Sequence, residues 1–287
     1  MKRITRQVLF VILLLCITAA ACTPATTPPP PTTIPINTTP MPLDKMVLIP
    51  AGAFSMGNSL DQAMAECKKF RDDCQPEWFA VEAPVHTVNV PAFYMDVYEV
   101  VNANYRACVT AGKCTPPRLN DSAKHPGYFQ DAQYNNFPVI DVNWDQARTY
   151  CEWRKARLPT EAEWEKAARG TEGRTYPWGE GVDTTRANYS DSKIGDPTMV
   201  GSYENGKSPY GLYDMTGNVW EWVADWYDVY PGGDPKASTD FGQKFRGLRG
   251  GGWSDPANTI HAAYRGSLDP THSFGNIGFR CASSSAP

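Results

Sequence analysis

The chain opens with Lys2, Arg3 and Arg6, followed by an apolar run from Val8 to Ala21 that no charge interrupts. This pattern predicts a secretory signal peptide over residues 1–21, too short for a stable membrane span. From Thr23 to Pro40 the pattern is lost, with seven prolines and seven threonines in 18 residues. Such a stretch cannot build a core and predicts an extended tether over 22–41, reaching roughly 55 Å at ~3.1 Å per residue. Regular patterning begins near residue 42. Met46 to Phe54 and Val85 to Val90 read as strands, and Ala92 to Asp96 begins another element. Asn102 to Thr110 has helical spacing and is stopped at Gly112. Asp141-Val142-Asn143-Trp144 leads into a helix over 145–156, and Thr160 caps a second, with Glu163 at the capping-box position. Beyond Gly170, glycines, prolines and aromatics dominate, leaving short strand-like pieces around Phe245 to Leu248 and Gly278 to Ala282. With no repeat and no second composition boundary, the pattern predicts one domain over 42–284.

Composition sharpens this picture. A chain of 287 residues with 23 Gly, 25 Pro, 9 Trp and 14 Tyr is loop-rich and aromatic-rich, which excludes an elongated helical protein. Lys and Arg number 27 against 31 Asp and Glu, and the signal peptide holds three of the positives, so the mature chain is acidic. A nucleic-acid partner is not expected. Ala19-Ala20-Ala21 stands directly before Cys22, as in a bacterial lipoprotein whose cysteine is lipidated after cleavage. Ordinary cleavage after Ala21 leads to the same export. Anchoring through Cys22 gives the tether a purpose and places the domain in the cell envelope.

Of eight cysteines, Cys16 leaves with the signal peptide and Cys22 is assigned to lipid. The even remainder in an exported domain reads as three disulfides. Cys67 with Cys74 and Cys108 with Cys114 each bracket one short loop, which leaves Cys151 with Cys281. The rival reading, a zinc site, lacks C-x-x-C spacing and paired histidines.

Eight ordered phrases then coincide: IPAGAFSMGNS from Ile49, PVHTVNVPAFYMDVYEVVNANY from Pro84, FPVIDVNWDQARTYCEW from Phe137, RLPTEAEWEKAARG from Arg157, YPWG from Tyr176, YGLYDMTGNVWEWVADWY from Tyr210, LRGGGWSD from Leu248 and NIGFRCA from Asn276. Together they resemble the formylglycine-generating enzyme (sulfatase-modifying factor) family over the whole chain after the tether. The resemblance implies an α+β fold related to C-type lectins, poor in regular secondary structure and stapled by disulfides. It also implies the Cys151–Cys281 pairing.

In the family's enzymes, two redox-active cysteines five residues apart follow the phrase here written Gly250-Gly251-Gly252-Trp253, and they bind copper as thiolates. Here Asp255 and Ile260 stand at those positions. Copper and formylglycine-generating activity are therefore not expected, and a metal role for His261 or His272 is the rarer reading of a lone histidine. The resemblance places a structural Ca²⁺ on Asp214, Gly217, Val219 and Glu221, hard oxygen donors from one tight loop. A second calcium maps onto Asn188 and the Tyr189 carbonyl, with Asp196 the candidate for the missing carboxylate. Without calcium, Asp214 and Glu221 only cap turns. Arg157, Glu161, Glu163 and Trp164 read as an ion-pair and packing cluster, and Arg249, Arg265 and Arg280 as braces.

The function this favours is a calcium-stabilised binding or accessory module, presenting Trp253, His261, Tyr264, Arg265, His272 and Phe274 to a glycan or an extracytoplasmic protein. The alternative is an oxidoreductase acting on protein cysteine in sulfatase maturation. A non-haem iron sulfoxide synthase needs clustered histidines, and the four here (His86, His125, His261, His272) lack helical ligand spacing.

Overall fold

A computed structural model describes residues 44–286. The signal peptide, Cys22 and the tether lie outside the described residues. Among those described, no helix is long and apolar enough to cross a membrane.

Among the described residues, four α-helices and nine short strands make up the regular structure, joined by loops and short 3-10 turns. The strand read over Met46 to Phe54 is two, β1 (Met46–Ile49) and β2 (Gly52–Met56), parted at Pro50, which has no amide to donate to a ladder. Helix α1 (Leu60–Cys67) follows, opened by a Ser59/Gln62 capping box that the sequence reading missed. Next come β3 (His86–Val90), β4 (Phe93–Asp96) and α2 (Asn102–Thr110). Helix α3 (Trp144–Trp153) starts at an Asn143/Gln146 capping box, and α4 (Glu161–Arg169) at the expected Thr160/Glu163 box. The C-terminal half adds β5 (Trp220–Trp226), β6 (Arg246–Arg249), β7 (Arg265–Leu268), β8 (Ile277–Gly278) and β9 (Ala282–Ser283). Three sheets result: β1-β4-β9, β2-β3 and β7-β6-β5-β8.

Strand β5 organises the core. Its residues alternate across the sheet: Trp220 and Trp222 pack with Tyr105, Tyr150 and Phe279 in one apolar cluster, while Val223 joins Trp164, Met215 and Phe93 in a second. Glu221 lies between those tryptophans, on the face that carries Val223, and is fully buried.

The three disulfides are Cys67–Cys74, Cys108–Cys114 and Cys151–Cys281, as the cysteine arithmetic arranged them. They fit an oxidising, extracytoplasmic setting. Cys151–Cys281 ties α3 to the C-terminal strand segment inside the first apolar cluster, closing a loop across a sequence separation of 130. The Cys67–Cys74 separation is only 7. Loop-closure entropy predicts that a Cys151→Ala/Cys281→Ala variant loses about 5 kcal/mol and a Cys67→Ala/Cys74→Ala variant about 2 kcal/mol. Urea unfolding of the two variants checks the order of the losses.

Candidate functional site

Helix α4 carries acidic side chains into the interior, where a lattice of charge meets them. Glu161 takes the Arg265 guanidinium on both oxygens, at 2.7 and 2.8 Å. Burial pushes the Glu161 carboxyl up, and Arg265 and Arg249 more than offset that, leaving it below its usual value. One oxygen of Glu165 accepts from Arg249 at 2.5 Å, the other from Arg169 and the Gly57 amide. Arg157 pairs with Glu163 at 2.6 Å. Arg249 also donates to the carbonyls of Ala262 and Ala263, so this lattice fixes the segment ahead of β7 as well as the helix. The cluster read as structural is packed in that way, and Arg265, 4% exposed, faces no groove.

The proposed calcium loop begins where β5 starts. Asp214, Gly217 and Asn218 all have positive φ (58°, 75° and 61°), which folds the turn tightly onto Asn188. A Cβ on Gly217 would stand 2.3 Å from the Asn188 carbonyl oxygen, so only glycine fits there. Glu221 is committed elsewhere. Its two oxygens accept from Arg280 at 2.7 Å each, and Oε2 also accepts from Trp164 Nε1 at 2.8 Å. Beside them lies Glu99, missed by the sequence reading, which accepts from Asn218 Nδ2 and the Val219 amide. Burial raises the Glu99 carboxyl well above its usual range, and Asp214 and Glu221 add to the effect. Burial likewise pushes Asp214 up to about 6. Three buried carboxylates thus meet one guanidinium, Arg280, and this acidic excess suits a cation or protons. Glu221 does not fit as a calcium ligand in this arrangement, whereas Asp214, whose hydrogen bond is to the Gly201 amide, does.

At the second calcium position, Asn188 Oδ1 is buried and accepts no hydrogen bond. That orphaned oxygen fits a cation. Asn188 and Asp196 are brought together, but through the Asp196 main-chain carbonyl, which accepts from Asn188 Nδ2 at 2.9 Å. The Asp196 carboxylate instead accepts from Ser122 Oγ at 2.5 Å and the Ala123 amide at 3.2 Å. The Tyr189 carbonyl is taken by the Ser192 amide. Among the described residues, no group of three or more His, Cys, Asp or Glu is placed to hold a metal ion.

The copper position has no thiolates. Asp255 accepts from Trp220 Nε1 at 2.8 Å and from the Gly252 amide at 2.9 Å, and Ile260 is fully buried among Tyr176, Ala187 and Tyr189. The six cysteines of the described residues are all in disulfides. These side chains do not fit Cu(I).

The recognition surface read over Trp253 to Phe274 divides. His261 is 1% exposed and sits 2.8 Å from Glu82, so it belongs to the interior, as Arg265 does. The cause is the segment between Pro256 and β7, which tucks Ile260 and His261 inward before the Arg265 ion pair. Tyr264 packs against Trp220 and Phe79. His272 is exposed beside Asp269. Trp253 and Phe274 do converge, lining a cavity of about 420 Å³ with Arg118, Leu119, Asp141 and Asn276. Arg118, Leu119 and Asp141 were missed; Asp141 has φ of 57°, a backbone feature with no signal in sequence spacing.

Comparison with known proteins adds the following. The sulfatase-modifying factor enzyme 1-like domain family matches residues 32–285. The formylglycine-generating enzyme of Mus musculus is 31% identical over 303 residues, covering 86% of this chain and 77% of that protein. The inactive C-alpha-formylglycine-generating enzyme 2 of Bos taurus is 31% identical over 291 residues, covering 83% and 87%. Serine/threonine-protein kinase Pkn1 of Chlamydia trachomatis serovar L2 is 35% identical over 260 residues, which cover 85% of this chain but only 39% of the kinase. Among solved structures, PvdO from Pseudomonas aeruginosa superposes with a TM-score of 0.63 at 26% identity, covering 83% of this chain and 93% of that one.

The Glu99–Asp214 pair generates a pH prediction. Both carboxyls hold their protons more tightly folded than unfolded: the Asp214 contribution to stability is complete below about pH 4 and is lost as pH rises through about 6, and the Glu99 contribution is lost as pH rises above the usual carboxylate range. The loss for Asp214 is on the order of 3 kcal/mol. In metal-free buffer, Glu99→Gln should flatten the fall in stability between about pH 4 and 7, as read by urea unfolding at each pH.

Proposed function

Starting from the fact that the chain belongs to the sulfatase-modifying factor enzyme 1-like family, we propose that it is a binding or accessory module of that family, without formylglycine-generating activity. The observation that carries this is the local chemistry at Asp255 and Ile260. A carboxylate held by two hydrogen bonds and an aliphatic side chain sealed in an apolar cluster stand where the enzymes' thiolates would be. Neither side chain is a soft ligand for Cu(I) or a redox partner for oxygen. The cavity beside Trp253 then serves as a ligand site rather than as the approach to a reactive thiol. The existence of a related protein named inactive supports a life for this fold without the oxidase.

The same proposal includes export, lipidation of Cys22 and a tether over 22–41 that holds the domain away from a membrane. It also includes calcium, supported by the orphaned Asn188 oxygen and by the acidic excess around Asp214. Asp214 would hold an ion at the first position and Asn188 at the second; Glu221 stays with Arg280. The ion would supply charge neutralisation and rigidity, and no chemistry.

The test is an oxidation assay on the purified chain with copper, calcium, oxygen and a reductant, following a sulfatase-type cysteine peptide by mass spectrometry. No conversion is expected, in a sample whose melting temperature falls at neutral pH when calcium is chelated. Aldehyde formation from the peptide thiol would overturn the reading in favour of the oxidoreductase. A melting temperature indifferent to chelation would remove calcium from it.

A further inference from the structure

The cavity beside Trp253 carries enough chemistry to name a class of ligand, an inference that rests on the binding-module reading. Its two aromatic walls differ in kind. The Trp253 indole is fixed, because its Nε1 donates to the Gly275 carbonyl at 3.2 Å and its main-chain amide to the Asn218 carbonyl at 2.8 Å. It therefore offers an immobilised flat face, which loses little freedom when a ligand stacks on it. Phe274 stands at the rim with 48% of its surface exposed, and Leu119 with 47%. These are unpartnered apolar surfaces at the mouth of a concave site, where burial by a ligand is favourable.

The polar wall is built around an ion pair. Arg118 Nη2 donates to Asp141 Oδ1 at 2.5 Å, and Arg118 Nε to Ser273 Oγ at 3.2 Å. The Asp141 carboxylate is 2% exposed and lines the cavity next to Gly275. Among the described residues, Arg118 Nη1 and Asp141 Oδ2 have no protein hydrogen-bond partner. A donor and an acceptor thus stand side by side, with the Asp121 carboxylate in the same lining. Asn276, whose Nδ2 donates to Ser254 Oγ at 3.3 Å, adds an amide oxygen at the same floor.

Asp121 adds a second carboxylate to the lining, so an anion is repelled here and a cation would compete with Arg118 for Asp141. A peptide added as a strand finds no edge here, since the lining residues all lie in loops. Neighbouring hydroxyls, each both donor and acceptor, match the pair, and the C–H face of a sugar ring matches a fixed indole. The volume of about 420 Å³ suits one or two rings. We propose that this cavity binds a neutral saccharide, with Trp253 as the stacking platform and Arg118, Asp141 and Asn276 as the hydroxyl-reading groups.

The test measures tryptophan fluorescence and calorimetric binding on the purified chain, titrated with glucose, galactose, mannose, N-acetylglucosamine and their β-linked disaccharides. A parallel array of random linear peptides is probed with the same sample. At least one saccharide should bind and shift the emission, and Phe274→Ser, a rim change that leaves the core intact, should weaken it about tenfold. Asp141→Asn should abolish the selectivity among epimers while circular dichroism stays native. Peptide binding sensitive to Phe274→Ser, with every saccharide silent, would overturn the saccharide and leave the binding-module reading standing. Silence toward both probes, or saccharide binding indifferent to Phe274→Ser and Asp141→Asn, would overturn the assignment of this cavity.

Discussion

The domain has little regular structure to hold it, and what takes the place of long ladders is buried charge. Glu161 and Glu165 on α4 and Glu221 on β5 meet Arg249, Arg265 and Arg280, six side chains almost wholly removed from water. Each guanidinium also donates to main-chain carbonyls, Arg280 to Asp96, Val97 and Tyr213, Arg265 to Val81 and Asp228. Such pairs add little net stability over apolar packing, because desolvation cancels most of the attraction. What they do supply is geometry: the Arg280 fork, which makes five hydrogen bonds, accepts one arrangement of loops.

That lattice also explains the reassignment of Glu221. In sequence, Asp214 and Glu221 bracket a tight turn and read as oxygen donors for calcium. The fold places Arg280, from 59 residues away, in front of Glu221 and turns Glu99 toward the Asn218 side chain and the Val219 amide. Acidic excess persists, but it has moved from Glu221 to the Glu99–Asp214 side.

Much of the fold was legible because its signals are local. The capping box at Thr160, the strand at β3 and the pairing of nearby cysteines follow from neighbours in the chain. Strand β5 was hidden, since Trp-Glu-Trp-Val-Ala-Asp-Trp sets acids among aromatics and reads as a ligand loop rather than a buried strand. Helix α1 was missed for a related reason: Leu60 to Cys67 is short, and only its cap announces it. The recognition surface was half legible. Trp253 and Phe274 do meet, yet His261 and Arg265 turn inward because their partners, Glu82 and Glu161, are 179 and 104 residues away. Arg118 and Asp141 are joined by a main-chain bond between their loops that no spacing announces.

The central claim is that the family scaffold remains here without its soft-metal centre. Competition for Cu(I) against a strong chelator, on the purified chain with Cys22 replaced by serine, tests it most directly. The account predicts that the chelator keeps the copper, because Asp255 and Ile260 offer no thiolate and the remaining cysteines of the domain are disulfide-bonded. Stoichiometric retention of Cu(I) by the folded, oxidised domain would contradict it.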